Sequence, residues 1–294
     1  MRKTSPLSNR WVKCISTEGN IRGVAIQATG LVRDMAKVHG LKGQAARGLG
    51  ESVMGALLVA SYCKTGQRVN LNIQGSGYYS QALVDAYPDG HVRGYLIERT
   101  LSEPLDEKFG PWGTGLLSVL RTKADEGEKP YIGTVPLLTG HLAKDLSFYW
   151  VQSEQIPSAV GLVVNLEGDV VSSAGGFLIQ ALPGASPSEV RVIEQHIQEI
   201  ESLADSLTKD ASPIHLLSQI FQSTAFVIME EKKLEFTCNC SWDRVQRALA
   251  LVGASELKAM LFEDQSAIVR CDFCTKEYRL DKGMLEQMIQ ELSS

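Results

Sequence analysis

Long apolar runs are missing from this chain. The richest stretch, MGALLVASY, falls far short of the roughly 20 residues a membrane span needs. The N-terminus MRKTSPLSNRWVKCIS is basic but has no apolar h-region behind it, so no secretory signal is read there. Basic excess is missing too. Twenty-nine Lys and Arg stand against 34 Asp and Glu, and the net charge of -5 makes a general nucleic-acid binder a poor expectation. No Gly-Lys-Ser/Thr follows Gly43, Gly48 and Gly50, which excludes a phosphate loop, and no serine sits in a Gly-x-Ser-x-Gly elbow. There is no internal repeat and no low-complexity tract. Hydrophobic residues make up 44% and charged residues 21%, which suits buried cores and excludes a disordered chain. The expectation is a cytoplasmic, non-membrane protein of two or three domains.

Cysteine is scarce, at six, but its placement is informative. Cys14 and Cys63 are isolated. Cys63 ends an apolar helical pattern and reads as buried and inert. The other four form CNC at 238–240 and CDFC at 271–274. In a reducing compartment such pairs point to metal or redox chemistry, not to a disulfide scaffold. The default reading is one zinc ion held by Cys238, Cys240, Cys271 and Cys274, because four thiolates suit a tetrahedral site and no histidine lies between them. That zinc could be purely structural. It could also be redox-active, since thiolates are the oxidisable form and losing them would unfold a module with little core. A plain thiol pair and a nucleic-acid zinc ribbon are the weaker alternatives. His39, His91, His141, His196 and His215 are scattered and read as ordinary residues. Ser153 and Glu154 invite a catalytic guess, but a helix end with local hydrogen bonds is the better reading.

Periodicity predicts an α+β chain: a mixed α/β core domain, a helical linker region and a small zinc-binding module. In residues 1–184, β-like runs at 69–77, 80–98, 131–140 and 158–184 alternate with glycine turns. Pro88-Asp89-Gly90 and Glu167-Gly168-Asp169 read as hairpin turns. Helices are predicted at 43–63, with Leu49, Val53, Leu57 and Ala60 on one face, and at 141–155. In 185–234, Ser186, Pro187 and Glu189 open an amphipathic helix of roughly 20 residues along Val190, Ile193, Ile197, Ile200, Leu203 and Leu207. Ser212-Pro213 opens a second, with Ile214, Leu217, Ile220 and Phe221. This apolar stripe must lie on something, and the expected cover is a face of the N-terminal sheet. In 235–294, Ser241 caps a helix to Gly253 with Val245, Ala248, Leu249 and Val252 inward. A shorter helix, SELKAMLFE, follows. AIVRC and EYRL then flank CDFC as strands, and Asp281 caps a last helix.

The string CNCSWDRVQRALALVG…SELKAML…VRCDFCTKEYRL closely resembles the C-terminal module of the redox-regulated chaperone family, the thirty-three-kilodalton heat-shock protein. GLGES at 48–52, NIQGSG at 72–77, GHVRGY at 90–95, AKDLSFYWVQSEQIPSAVGL at 143–162 and AGGFLIQALPG at 174–184 follow the family's order, so the resemblance covers essentially the whole chain. Asp243 stands where the family commonly has Glu, which keeps the charge. The resemblance implies a non-enzymatic, ATP-independent holdase that is inactive when reduced and zinc-bound. It implies disulfides Cys238–Cys240 and Cys271–Cys274 on oxidation, zinc release, unfolding of module and linker, homodimerisation and capture of unfolding client proteins. A thiol–disulfide oxidoreductase and a nucleic-acid-binding zinc protein are the competing functions. Against the first, no CxxC opens a helix in a thioredoxin-like setting.

Overall fold

The computed structural model describes residues 9–101, 104–123, 130–200 and 212–293, and the chain forms two compact units, 1–237 and 238–294. The first unit is built on two sheets. Five strands run in the order β10-β1-β2-β9-β8: Phe226–Lys233, Arg10–Ser16, Ile21–Gln27, Val170–Ala181 and Ser158–Glu167. The other six run β11-β5-β4-β3-β6-β7: Glu235–Phe236, His91–Glu98, Tyr79–Ala86, Gln67–Gly75, Gly115–Lys123 and Tyr131–Leu137. All pairings are antiparallel except β11 on β5. Both predicted hairpin turns are present. Gly90 N–H closes the first on the Tyr87 carbonyl at 3.0 Å, and Gly168, at φ 60°, turns β8 into β9.

Between the sheets lie α1 (Thr29–His39), α2 (Gly43–Ala60) and α3 (Leu142–Glu154). Leu49, Val53, Leu57 and Ala60 are buried as predicted, but α2 is buried nearly all round, because inward residues of both sheets close over it. Its glycines permit this approach. A Cβ at Gly48 would stand 2.6 Å from the Tyr79 ring, and one at Gly50 would stand 2.6 Å from Val32. Gly48 and Gly50 are therefore packing residues of a helix, and Gly43, at φ 52°, starts it.

The outer face of the five-stranded sheet carries α4 (Pro187–Glu199) and α5 (Pro213–Phe221). Ser186 and Glu189 form the predicted capping box, with Glu189 N–H donating to Ser186 Oγ at 3.2 Å and Ser186 N–H to Glu189 Oε2 at 2.7 Å. Ile193, Leu216, Leu217, Ile220 and Phe221 pack on Val12, Cys14, Ile21, Phe177 and Ile179, so the helices cover the sheet face that their stripe required. Leu203 and Leu207 lie outside the described residues. The helical reading of 185–234 fails at its end. Residues 226–233 form the strand β10, because the run Phe-Val-Ile-Met suits an extended edge and pairs with β1.

The second unit contains α6 (Trp242–Val252), α7 (Ala254–Glu263), the hairpin β12 (Ala267–Arg270) and β13 (Glu277–Leu280), and α8 (Lys282–Ser293). Ser241 and Asp281 cap as predicted, accepting from Arg244 N–H at 3.4 Å and Met284 N–H at 2.9 Å. The core is small: Val245, Leu249, Leu257, Tyr278, Leu280, Leu285 and Met288. Val245 and Leu249 point inward as expected, but Ala248 and Val252 are exposed, because so small a core reaches only one narrow stripe of α6.

Candidate metal centre

The hairpin brings CDFC back toward CNC. Arg270 pairs with Glu277, so Cys271–Lys276 must close a tight turn. Thr275 N–H donates to the Cys271 carbonyl at 2.8 Å and Cys271 N–H to the Lys276 carbonyl at 2.9 Å. Thr275 pays for the turn with a left-handed backbone, φ 61°. Cys238 and Cys240 arrive from the irregular stretch before the Ser241 cap, with their side chains on the same side.

All four Sγ atoms lie within 4.8 Å of one another. Sulfurs of different pairs come into direct contact, Cys238 with Cys271 at 3.8 Å and Cys240 with Cys274 at 3.4 Å. A tetrahedron of sulfurs about 2.3 Å from a zinc ion has edges of about 3.8 Å, so the spacing and the soft donor set fit that metal. No histidine joins a metal-capable cluster among the described residues.

The electrostatics single out one thiol. Burial opposes ionisation of Cys240, but the Tyr278 hydroxyl at 3.1 Å and the neighbouring thiols outweigh it and bring the group to about 7. Burial pushes Cys271 and Cys274 up. Donating to Cys240, with burial added, pushes Tyr278 up to about 12. Gathered thiolates repel one another, and a divalent cation removes that repulsion.

Sequence reasoning missed Tyr278. Its signal was there: alternation in Glu277–Leu280 puts Tyr278 and Leu280 on one face, in the strand that follows Cys274. The remaining candidates stay outside the site. Burial pushes Cys14 up to about 12 and also raises Cys63, so both are poor nucleophiles. Glu154 accepts from Tyr149 Oη at 2.6 Å and pairs with Arg121 at 3.0 Å, while the Ser153 carbonyl accepts from Tyr131 Oη. The expected hydrogen bonds at this helix end are present, but they reach across to β6 and β7 and are not only local. His196 is buried, its Nδ1 3.0 Å from the Ile220 carbonyl, joining α4 to α5.

The family model described as Hsp33 protein matches residues 9–281. The chain belongs to the Hsp33 family. It is 36% identical to the 33 kDa chaperonin of Geobacter sulfurreducens, over 99% of this chain and 98% of that one. It is also 36% identical to the 33 kDa chaperonin of Limosilactobacillus fermentum, over 95% and 97%. The crystal structure of the Hsp33 homolog from Thermotoga maritima superposes with a TM-score of 0.87 at 27% identity, covering 97% of this chain and 98% of that one. The Hsp33 family is a chaperone family, and this member carries its cysteine cluster at the C-terminal end. No described helix is long and apolar enough to cross a membrane.

Proposed function

We propose that this chain is a redox-regulated, ATP-independent holdase of the cytoplasm, not an enzyme. The observation that supports this best is the meeting of four thiols within 4.8 Å in a unit whose core is seven side chains. Cys238, Cys240, Cys271 and Cys274 are the ligands of one zinc ion in the reduced, inactive chain. When bound, zinc supplies the cross-link that the small core lacks, an apparent ~10–16 kcal/mol in modules of this kind.

Oxidation takes two electrons from each cysteine pair. Disulfides Cys238–Cys240 and Cys271–Cys274 form, a peroxide-class oxidant is reduced to water, and the four donors no longer hold the ion. The module then unfolds and frees α4 and α5. The uncovered sheet face, with Ile21, Phe177 and Ile179, becomes an apolar surface for unfolding client proteins. The freed faces also pair two chains as a homodimer. In this scheme residues 1–184 act as core, 185–234 as releasable linker and 235–294 as sensor.

The test is light scattering from a heat-unfolding client, with the chain added reduced and zinc-loaded, or oxidised. Suppression by the oxidised form alone, without ATP, is the expected result. Equal suppression by both forms would leave a constitutive chaperone with structural zinc, and suppression by neither would remove the holdase assignment.

A further inference from the structure

We infer that Tyr278 is the positioning residue of the Cys238–Cys240 half of the cluster, giving Cys240 the hydrogen bond that the Cys271–Cys274 half draws from its own backbone. The inference rests on the proposed reading of the four thiols as a zinc site.

The two halves are built differently. The Cys271–Cys274 turn folds its own amides onto its sulfurs. The N–H groups of Phe273 and Cys274 point at Cys271 Sγ, and that of Lys276 points at Cys274 Sγ. Three intervening peptides and the left-handed Thr275 make this possible. Cys-x-Cys is too short to close such a turn. The hydrogen bonds that favour the Cys240 thiolate come instead from side chains, and the Tyr278 hydroxyl donates one at 3.1 Å.

The position of that hydroxyl is dictated by the fold. Tyr278 is 7% exposed and is held in β13 opposite Val269. Its ring packs on Trp242, centroids 5.9 Å apart, and the Lys276 ammonium lies 4.8 Å from the ring centroid. Trp242 opens α6 two residues after Cys240, so the same ring that is stacked by the helix also bonds the ligand before it. Four thiolates around one divalent cation carry uncompensated negative charge, and an O–H aimed at one sulfur offsets part of it. Donors of this outer kind orient ligands and typically change metal affinity by about 10–100-fold when removed.

The experiment uses the full-length reduced chain and Tyr278→Phe, which keeps the ring and deletes the hydroxyl. Zinc affinity is read by competition with a chromophoric chelator. The thiolate-to-metal charge-transfer band is read after cobalt substitution, on the loaded protein only, so partial unfolding of the variant does not contribute. The expected result is zinc binding about 10–100-fold weaker and a cobalt band moved to longer wavelength, because a sulfur that loses a donor gives up electron density more easily. Unchanged affinity with an unchanged band overturns the inference, and so does weaker binding with an unmoved band, which would make Tyr278 a packing residue. A wild-type chain that takes neither zinc nor cobalt would sink the zinc reading itself and this inference with it. Wild-type binding with an indifferent variant sinks this inference alone.

Discussion

Glu51 shows how a single residue can carry a pH signature. It sits on α2, where burial pushes its carboxyl up to about 7 from an ordinary 4.5, with Arg47 opposing. Between those values the folded chain holds a proton that the unfolded chain has released. Stability therefore falls as pH rises from 4.5 to 7 and stays reduced above. Glu51→Gln should raise the thermal midpoint at about pH 8 and leave it unchanged at about pH 4. Equal effects at both would mean the carboxyl is ordinary. At this scale the four clustered cysteines were legible in the sequence, because cysteine spacing is local and rare. Tyr278 was not, because its role depends on where a hairpin brings it.

Among the elements, α4 and α5 cover the same sheet unequally. Helix α5 buries Pro213, Leu216, Leu217, Ile220 and Phe221, whereas α4 buries only Ile193 and His196. A cavity of about 80 Å³ lined by Ile21, Ile179, Val190 and Ile197 remains beneath α4. The capping box fixes the start of α4, and His196 on the Ile220 carbonyl ties it to α5. Ser186→Ala should cost about 1 kcal/mol and speed amide exchange over 190–199 without touching 213–221. Phe221→Ala should cost about 3–5 kcal/mol and loosen both helices, as read by urea denaturation. Exchange that rises equally in both helices after Ser186→Ala would show that they open as one. The capping box and the amphipathic stripe were legible beforehand, as local features. Strand β10 was not, because its partner β1 lies more than 200 residues earlier in the chain.

For the whole molecule, the two units differ in what holds them. The first has a large core shared by two sheets and three helices, while the second has seven buried side chains. A unit this small is marginal without a staple. Chelating the metal from the reduced, zinc-loaded chain should therefore abolish a calorimetric transition belonging to 238–294 and leave that of the first unit in place. Loss of both transitions, or of neither, would contradict the view that metal is the main support of the second unit alone.

The sequence by itself determined the α+β class, the caps and hairpin turns, the cysteine set and the family, since each is written in residues a few positions apart or in motif order along the chain. The tertiary structure alone decided that α2 is buried nearly all round, that 226–233 is a strand and that α5 outweighs α4. It also decided that Tyr278 meets Cys240, and that sulfurs of different pairs touch. These follow from contacts between segments distant in sequence, where packing space and strand partners override local preference.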